Sequence, residues 1–193
     1  MSRIERIRSI VKDLYEKKDP NRADWADWLY PYHVLVVAAQ ARALAEKYHA
    51  NSELAEVSAL LHDIADAFAK RSDPDHEIKS LETAREILTN NNFSSDEISI
   101  IVDDALQFHS CHDDQRPTSS EGKVLATADS YAHLKTDFYL YAMSMLSGTM
   151  SYEASKQWAL NKIERDYHQK ILFDEEREGW RHDYDILKEI FSR

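Results

Sequence analysis

The sequence predicts an all-α fold, and three observations carry that prediction. Apolar residues recur at helical spacing in segment after segment, as with Ile7, Ile10, Val11 and Leu14 near the start. Glycine (3) and proline (4) are scarce, which leaves little room for tight hairpins. No Asn-Gly or Asp-Gly pair separates two alternating runs, so the strongest local hairpin signal is missing.

The elements follow in order. Ile4 to Tyr15 forms a first amphipathic helix, stopped by Asp19-Pro20. The Trp-rich segment Trp25–Tyr30 leads to Pro31, where a helix can begin without losing a needed N–H. That helix is predicted to reach about Tyr48, with Val37, Ala41, Leu44 and Tyr48 on one stripe. Asn51-Ser52 offers an N-cap to the next helix, whose stripe holds Leu54, Val57, Leu61, Ile64 and Phe68. Arg71–Asp75, with Pro74, reads as a loop. A helix from about His76 to Leu88 ends at Asn90-Asn91-Asn92. Ser94-Ser95-Asp96-Glu97 starts another, reaching about Ser110 through Ile98, Ile101, Val102 and Ala105. Beyond a loop at Asp113–Ser119, one long helix covers about Ser120 to Leu146. Gly148 separates it from Tyr152–His168, and a last helix covers about Glu175 to Phe191. Roughly seven or eight helices result, antiparallel where loops are short. The 193 residues show no repeat, low-complexity tract or linker, so residues 1–193 read as one domain.

Composition narrows the function. The net charge of −11, with no Lys/Arg-rich run, argues against a nucleic-acid partner. The most apolar stretch, Val34 to Ala39, is far too short to span a membrane. The single cysteine, Cys111, has no internal disulfide partner, and no secretory leader is evident. The expected setting is therefore reducing and cytoplasmic.

Histidine and aspartate placement points to metal chemistry. His33 lies four residues before Val37 and shares its inward stripe, as His109 shares the stripe of Ala105. His62-Asp63 interrupts an apolar run, with Ala59-Leu60-Leu61 before it and Ile64-Ala65 after. Asp129 sits likewise behind Val124-Leu125-Ala126-Thr127-Ala128. A carboxylate in such surroundings is costly unless paired or bound to a cation. One shared metal site explains both aspartates and the inward histidines, and imidazole with carboxylate suits Mn, Fe, Co, Ni or Zn. Adjacent helical residues diverge by about 100°, so His62 and Asp63 can reach one ion only near a gap between helices.

His33, His62-Asp63 and Asp129, in that order, resemble the signature of the HD-domain metal-dependent phosphohydrolase superfamily. The phrase Ala59-Leu60-Leu61-His62-Asp63-Ile64-Ala65-Asp66 resembles its central helix. The likeness extends through His76-Glu77, Ala84 to Leu88, His109-Ser110 and Glu121 to Val124. It covers a motif core of about 25–140, with the helices of about 150–193 matching more loosely. The resemblance implies a helical bundle of the HD-domain type, with a first divalent ion on His33, His62, Asp63 and Asp129. It implies that His76 and His109 can add a second ion, with Asp63 bridging, so that one or two ions (Mn, Fe, Co, Ni, Mg or Zn) are expected. The implied substrate is a nucleotide or other small phosphorylated metabolite. Two departures stand out: Val36 where members often carry Arg, and Thr127-Ala128-Asp129-Ser130 where they often read Asp-Ala-Asp-Arg.

On that basis the expected reaction is attack of metal-activated water on phosphorus. Asp66, with Asp63 a catalytic candidate, is expected to position that water or shuttle its proton, while Lys70 and Arg71 are candidate phosphate contacts. Two other readings stay open: a mixed-valent di-iron oxygenase with the same ligands, and a nucleotide-binding sensor without turnover. Among the other histidines, His112 ranks behind His109 for want of a stripe position. His133, four after Asp129, is a candidate partner of that carboxylate or a core-edge residue. His49, His168 and His182 read as surface, and the late aromatic and Met-rich helices are compatible with a homodimer.

Overall fold

Helix starts are written into this chain as caps. Ser2 and Ser94 each form a reciprocal capping box, with Glu5 and Glu97 respectively. Asn51 accepts from the backbone N–H groups of Glu53 and Leu54, and Ser119 and Ser151 cap the helices that follow them. The computed structural model describes residues 1–193, which are helical with no strand. In chain order, α1 is Arg3–Glu16. α2 comprises Ala26–Leu29 and Leu35–Lys47, joined by a π turn at Tyr30–Val34. α3 is Ser52–Leu61, followed by a 3₁₀ turn at Ile64–Ala67, and α4 is His76–Asn90. α5 is Ser95–Ile98 continued as a π-helix over Ser99–Leu106. α6 is Ser120–Lys135 and α7 is Phe138–Leu146. α8 is Tyr152–Arg165 continued as a π turn over Asp166–Lys170. α9 is Asp174–Gly179 and α10 is Arg181–Ser192.

The centre of the bundle is α2 packed against α3 and α6, with α3 also against α5 and α6. α1 covers α3, and α8 and α10 pack on each other and on α6. One cluster of 43 buried apolar residues runs from Ile7 to Phe191, so the first and last helices share a core. No helix is long and apolar enough to cross a membrane.

The structure corrects four expected boundaries, and two of them shape the site. The second helix begins at Ala26 rather than Pro31. Pro31 lies inside the helix, at the π turn, where a missing N–H and a bulky ring are more easily accommodated than in a regular α turn. The third helix ends at Leu61 instead of reaching Phe68, because Asp63 leaves helical geometry at φ −116°, ψ 29°. The expected long helix breaks at Thr136, whose backbone is extended and whose Oγ1 donates to Ala132 O at 2.6 Å. The last expected helix divides at Trp180 into α9 and α10.

Gly122, in the first turn of α6, is fixed by close approach. A Cβ there would stand 2.5 Å from Pro117 Cβ and 2.7 Å from Asp104 Oδ2. Asp104 in turn accepts from the backbone N–H groups of Thr118 and Ser119, holding the loop that launches α6 and Asp129.

Candidate metal centre

Three structural devices bring the histidines and aspartates together. The π turn at Tyr30–Val34 carries His33, the broken end of α3 carries His62-Asp63, and the middle of α6 carries Asp129. The break after Leu61 matters most, since an unbroken helix would splay His62 and Asp63 by about 100°. With Asp63 out of the helix, its Oδ2 lies 3.5 Å from His62 Nε2 and 3.7 Å from His33 Nε2. Tyr15 holds this bend, donating to the Asp63 carbonyl at 2.8 Å.

Ligand-type atoms of His33, His62 and Asp129 all lie within 4.8 Å of one another, and all three residues are buried. His33 Nε2 is 3.0 Å from His62 Nε2 and 3.3 Å from Asp129 Oδ1. His62 Nδ1 lies 2.6 Å from Ala59 O, which sets the proton on Nδ1 and leaves Nε2 as a lone pair aimed at the cluster. Asp129 Oδ1 is buried with no hydrogen bond of good geometry, and His33 Nε2 and His133 Nε2 each lie 3.3 Å from it. A buried carboxylate oxygen with no hydrogen bond, beside two converging imidazole nitrogens, is the arrangement a divalent cation satisfies. The residues present therefore fit the group.

Electrostatics prepare the same state. Burial pushes His33 below the usual imidazole range, against the opposing pull of Asp129. His109 is pushed down to about 4, again by burial. Burial alone would raise Asp129, but His133, Lys170 and His33 outweigh it and hold the carboxyl well below its ordinary value. Asp63 is lowered too, since Arg71, His62 and His33 together overcome the effect of burial. Neutral imidazoles facing ionised carboxylates are the protonation states that ligation needs.

The other site residues inferred from the sequence are placed unevenly. His76 and His109 line a cavity of about 340 Å³ with His62 and Asp63. His109 Nδ1 lies 2.7 Å from Leu106 O, which leaves its Nε2 free, and His76 Nε2 is buried without a hydrogen bond. The His109 ring lies edge-on to His62 with centroids 5.6 Å apart, and Arg71, which lines the same cavity, has its Nη2 2.8 Å from Asp63 Oδ1. Asp66 is not in the cluster. It is fully buried and accepts from Trp25 Nε1 at 3.0 Å and Arg71 Nε at 2.8 Å. Lys70 pairs at the surface with Asp24 and lines neither cavity that borders the cluster.

The tail supplies residues that sequence reasoning missed. Lys170, buried at the end of α8, forms an ion pair with Asp129 Oδ2. Asp166 lies 2.9 Å from His133 Nδ1 and accepts from Tyr139 Oη at 2.5 Å. His133 stacks parallel on His33 with ring centroids 5.1 Å apart, and its Nε2 is 3.3 Å from Asp129 Oδ1. His133 therefore lies against the two candidate ligands rather than at a core edge. The departures at Thr127 and Ser130 tie this tail down. Thr127 Oγ1 accepts from Leu172 N at 3.0 Å, and Ser130 Oγ donates to Asp166 O. Lys162, Asp166 and Lys170 recur at four-residue spacing, a pattern that in sequence reads as a solvated helix face.

A second cavity, also about 340 Å³, adjoins the first and shares Asp63, Arg71, His109, Ser110 and His112 with it. It reaches Asp129 and is bordered by Trp25 and Trp158, which also line an apolar cavity of about 440 Å³. Comparison with protein-family models matches residues 30–134, more than half of the chain, to the HD domain. Comparisons with curated proteins and with solved structures find no match.

Proposed function

Because this chain belongs to the HD-domain family, whose members form a metal-dependent hydrolase superfamily, we propose that it hydrolyses a small phosphorylated metabolite, with a nucleotide as the leading class. The observation that carries the reading is the buried, unbonded Asp129 Oδ1 beside His33 Nε2 and His62 Nε2.

His33, His62, Asp63 and Asp129 would hold the ion. A divalent ion there supplies Lewis acidity toward a phosphoryl oxygen and toward water. The chain's own groups do the rest. Lys170 holds Asp129 ionised, and His133 packs against the same carboxylate. Asp66 is a positioning residue: with Trp25 it fixes Arg71 at the cavity wall, where the guanidinium can face an incoming anion. Trp25 and Trp158 border both the polar and the apolar cavity, which supports an organic group beyond the phosphate. His76 and His109 are the candidates for holding a second ion, which would add positive charge beside the Arg71 guanidinium on Asp63. Residues 1–193 are taken as one domain, in keeping with the common core.

The test is phosphate release from a panel of nucleotides, sugar phosphates, pyrophosphate and diesters, after loading with Mn, Fe, Co, Ni, Zn or Mg in turn. Release that chelator and Asp129→Asn both abolish is expected. Oxygen uptake by the iron form without any phosphate release would replace this reading with the oxygenase.

A further inference from the structure

Four basic side chains face the cavity beside the His/Asp cluster: Arg71, Lys162, Arg165 and Lys170. Three of them have carboxylate partners in the protein. Arg71 sits on Asp63 and Asp66, Lys170 on Asp129, and Lys162 lies 3.3 Å from Asp166. Arg165 has none. Its Nη1 meets only His112 Nδ1, at 3.5 Å, and its Nε is buried with no hydrogen-bond partner. A buried guanidinium N–H left unbonded beside other cations is costly unless an anion completes it.

Asp166 has no capacity to spare for Arg165. That one carboxylate already takes Tyr139, His133 and Lys162, with Lys170 at 3.8 Å. Lys162 registers the same crowding. Burial, with Lys170 and Arg165 adding to it, pulls its ammonium down to about 8 despite Asp166 and Asp129. The cavity's four cations are matched formally by Asp63, Asp66, Asp129 and Asp166. One divalent ion in the cluster would therefore leave this neighbourhood at about +2.

We infer that Lys162 and Arg165 form the anion-recognition wall of the site, taking the nonbridging oxygens of a terminal, dianionic phosphoryl group. This rests on the phosphohydrolase reading of the same site, and it places phosphate recognition in α8, beyond the segment 30–134 that matches the family. Spacing of three residues puts both side chains on one face of α8. The planar fork of Arg165 suits two phosphoryl oxygens, and Lys162 adds a point charge. Two such cations facing a bound divalent ion favour a terminal phosphoryl over a diester, which carries a single charge. Lys170 is held on Asp129 and is not part of the wall.

The experiment is calorimetric binding of inorganic phosphate to manganese-loaded protein, with metal content and far-UV circular dichroism recorded for each variant. Arg165→Gln is expected to weaken phosphate by about ten-fold or more, Lys162→Gln by several-fold, and the exposed control Lys17→Gln not at all. Metal content should not change. Dimethyl phosphate should bind the wild type at least about ten-fold more weakly than phosphate. Should Arg165→Gln not fold, Arg165→Lys carries the test, with a smaller loss expected because the charge stays and the fork goes. Phosphate affinity unchanged in both α8 variants, or no phosphate binding by the metal-loaded wild type, overturns the inference. Arg165-dependent phosphate binding in a protein that hydrolyses no phosphate compound would keep the wall and retire the phosphohydrolase reading. Hydrolysis with unchanged KM in Arg165→Gln would do the reverse.

Discussion

His33 Nε2 and His62 Nε2 face each other across 3.0 Å, inside a cluster closed by Asp129 Oδ1 at 3.3 Å from His33. Two lone pairs at that distance repel unless a proton or a cation lies between them. His62 is committed through its Nδ1 to Ala59 O, so the proton or cation between the rings meets a lone pair on His62 Nε2.

Metal binding should therefore stabilise the fold, and only while the cluster is whole. Loading at about a hundred times Kd is expected to add about 2.7 kcal/mol of stability. In His62→Ala the gain should vanish together with the bound ion. Thermal unfolding with and without metal, beside elemental analysis, measures both. A full gain in His62→Ala would remove His62 from the ligand set.

Arg71 would compete with a second ion for Asp63. With Nη2 of Arg71 at 2.8 Å from Asp63 Oδ1, the wild type should bind one ion tightly and a second, on His76 and His109, more weakly. Arg71→Ala should strengthen the second step of a metal titration by about ten-fold, the effect of removing a neighbouring positive charge. Two equally tight ions in the wild type would defeat this prediction.

Lys170 neutralises two buried carboxylates, Asp129 and Asp166. Lys170→Met leaves them without that charge, and removing one partner of a buried pair costs about 3–5 kcal/mol. Urea unfolding of the chelated protein reads the loss directly. A change under about 1 kcal/mol would mean that water or Lys162 replaces the ammonium.

The chelated protein should lose stability as pH falls through two successive windows. His109 and His133 are pushed by burial to about 4 and about 3, so between the ordinary imidazole value and those values the unfolded chain binds more protons than the folded one. Stability then declines with falling pH by about 1.4 kcal/mol per unit for each histidine. Asp63, Asp129 and Asp166 are depressed in the folded state, so their contribution is present above the ordinary carboxylate value and fades below it. Denaturant titrations from pH 7 to pH 3 test the slope. A flat profile between pH 6.5 and pH 4 would contradict the first window.

Gly122→Ala should destabilise by about 1–3 kcal/mol, because Pro117 and the Asp104 carboxylate occupy the space its Cβ needs. A chemical-denaturation midpoint equal to that of the wild type would show that the loop yields without cost.

The sequence by itself determined the helical class, the caps at Asn51 and Ser94, and the inward His33, His62 and Asp129, because periodicity and the cost of burying carboxylates are local properties. It did not determine how His62 and Asp63 reach one point. That depends on Asp63 leaving the helix and on Tyr15 holding its carbonyl, a contact across 48 positions. Nor did it reveal the tail. Lys162, Asp166 and Lys170 have the spacing of a solvated, charge-laced helix, and Arg165 stands among them. Only the packing of α8 against α6 buries Asp166 and Lys170 and brings Lys162, Arg165 and Lys170 to the wall of the cavity that Asp129 lines. Burial is decided by what packs against a face, and no local pattern in the chain encodes that.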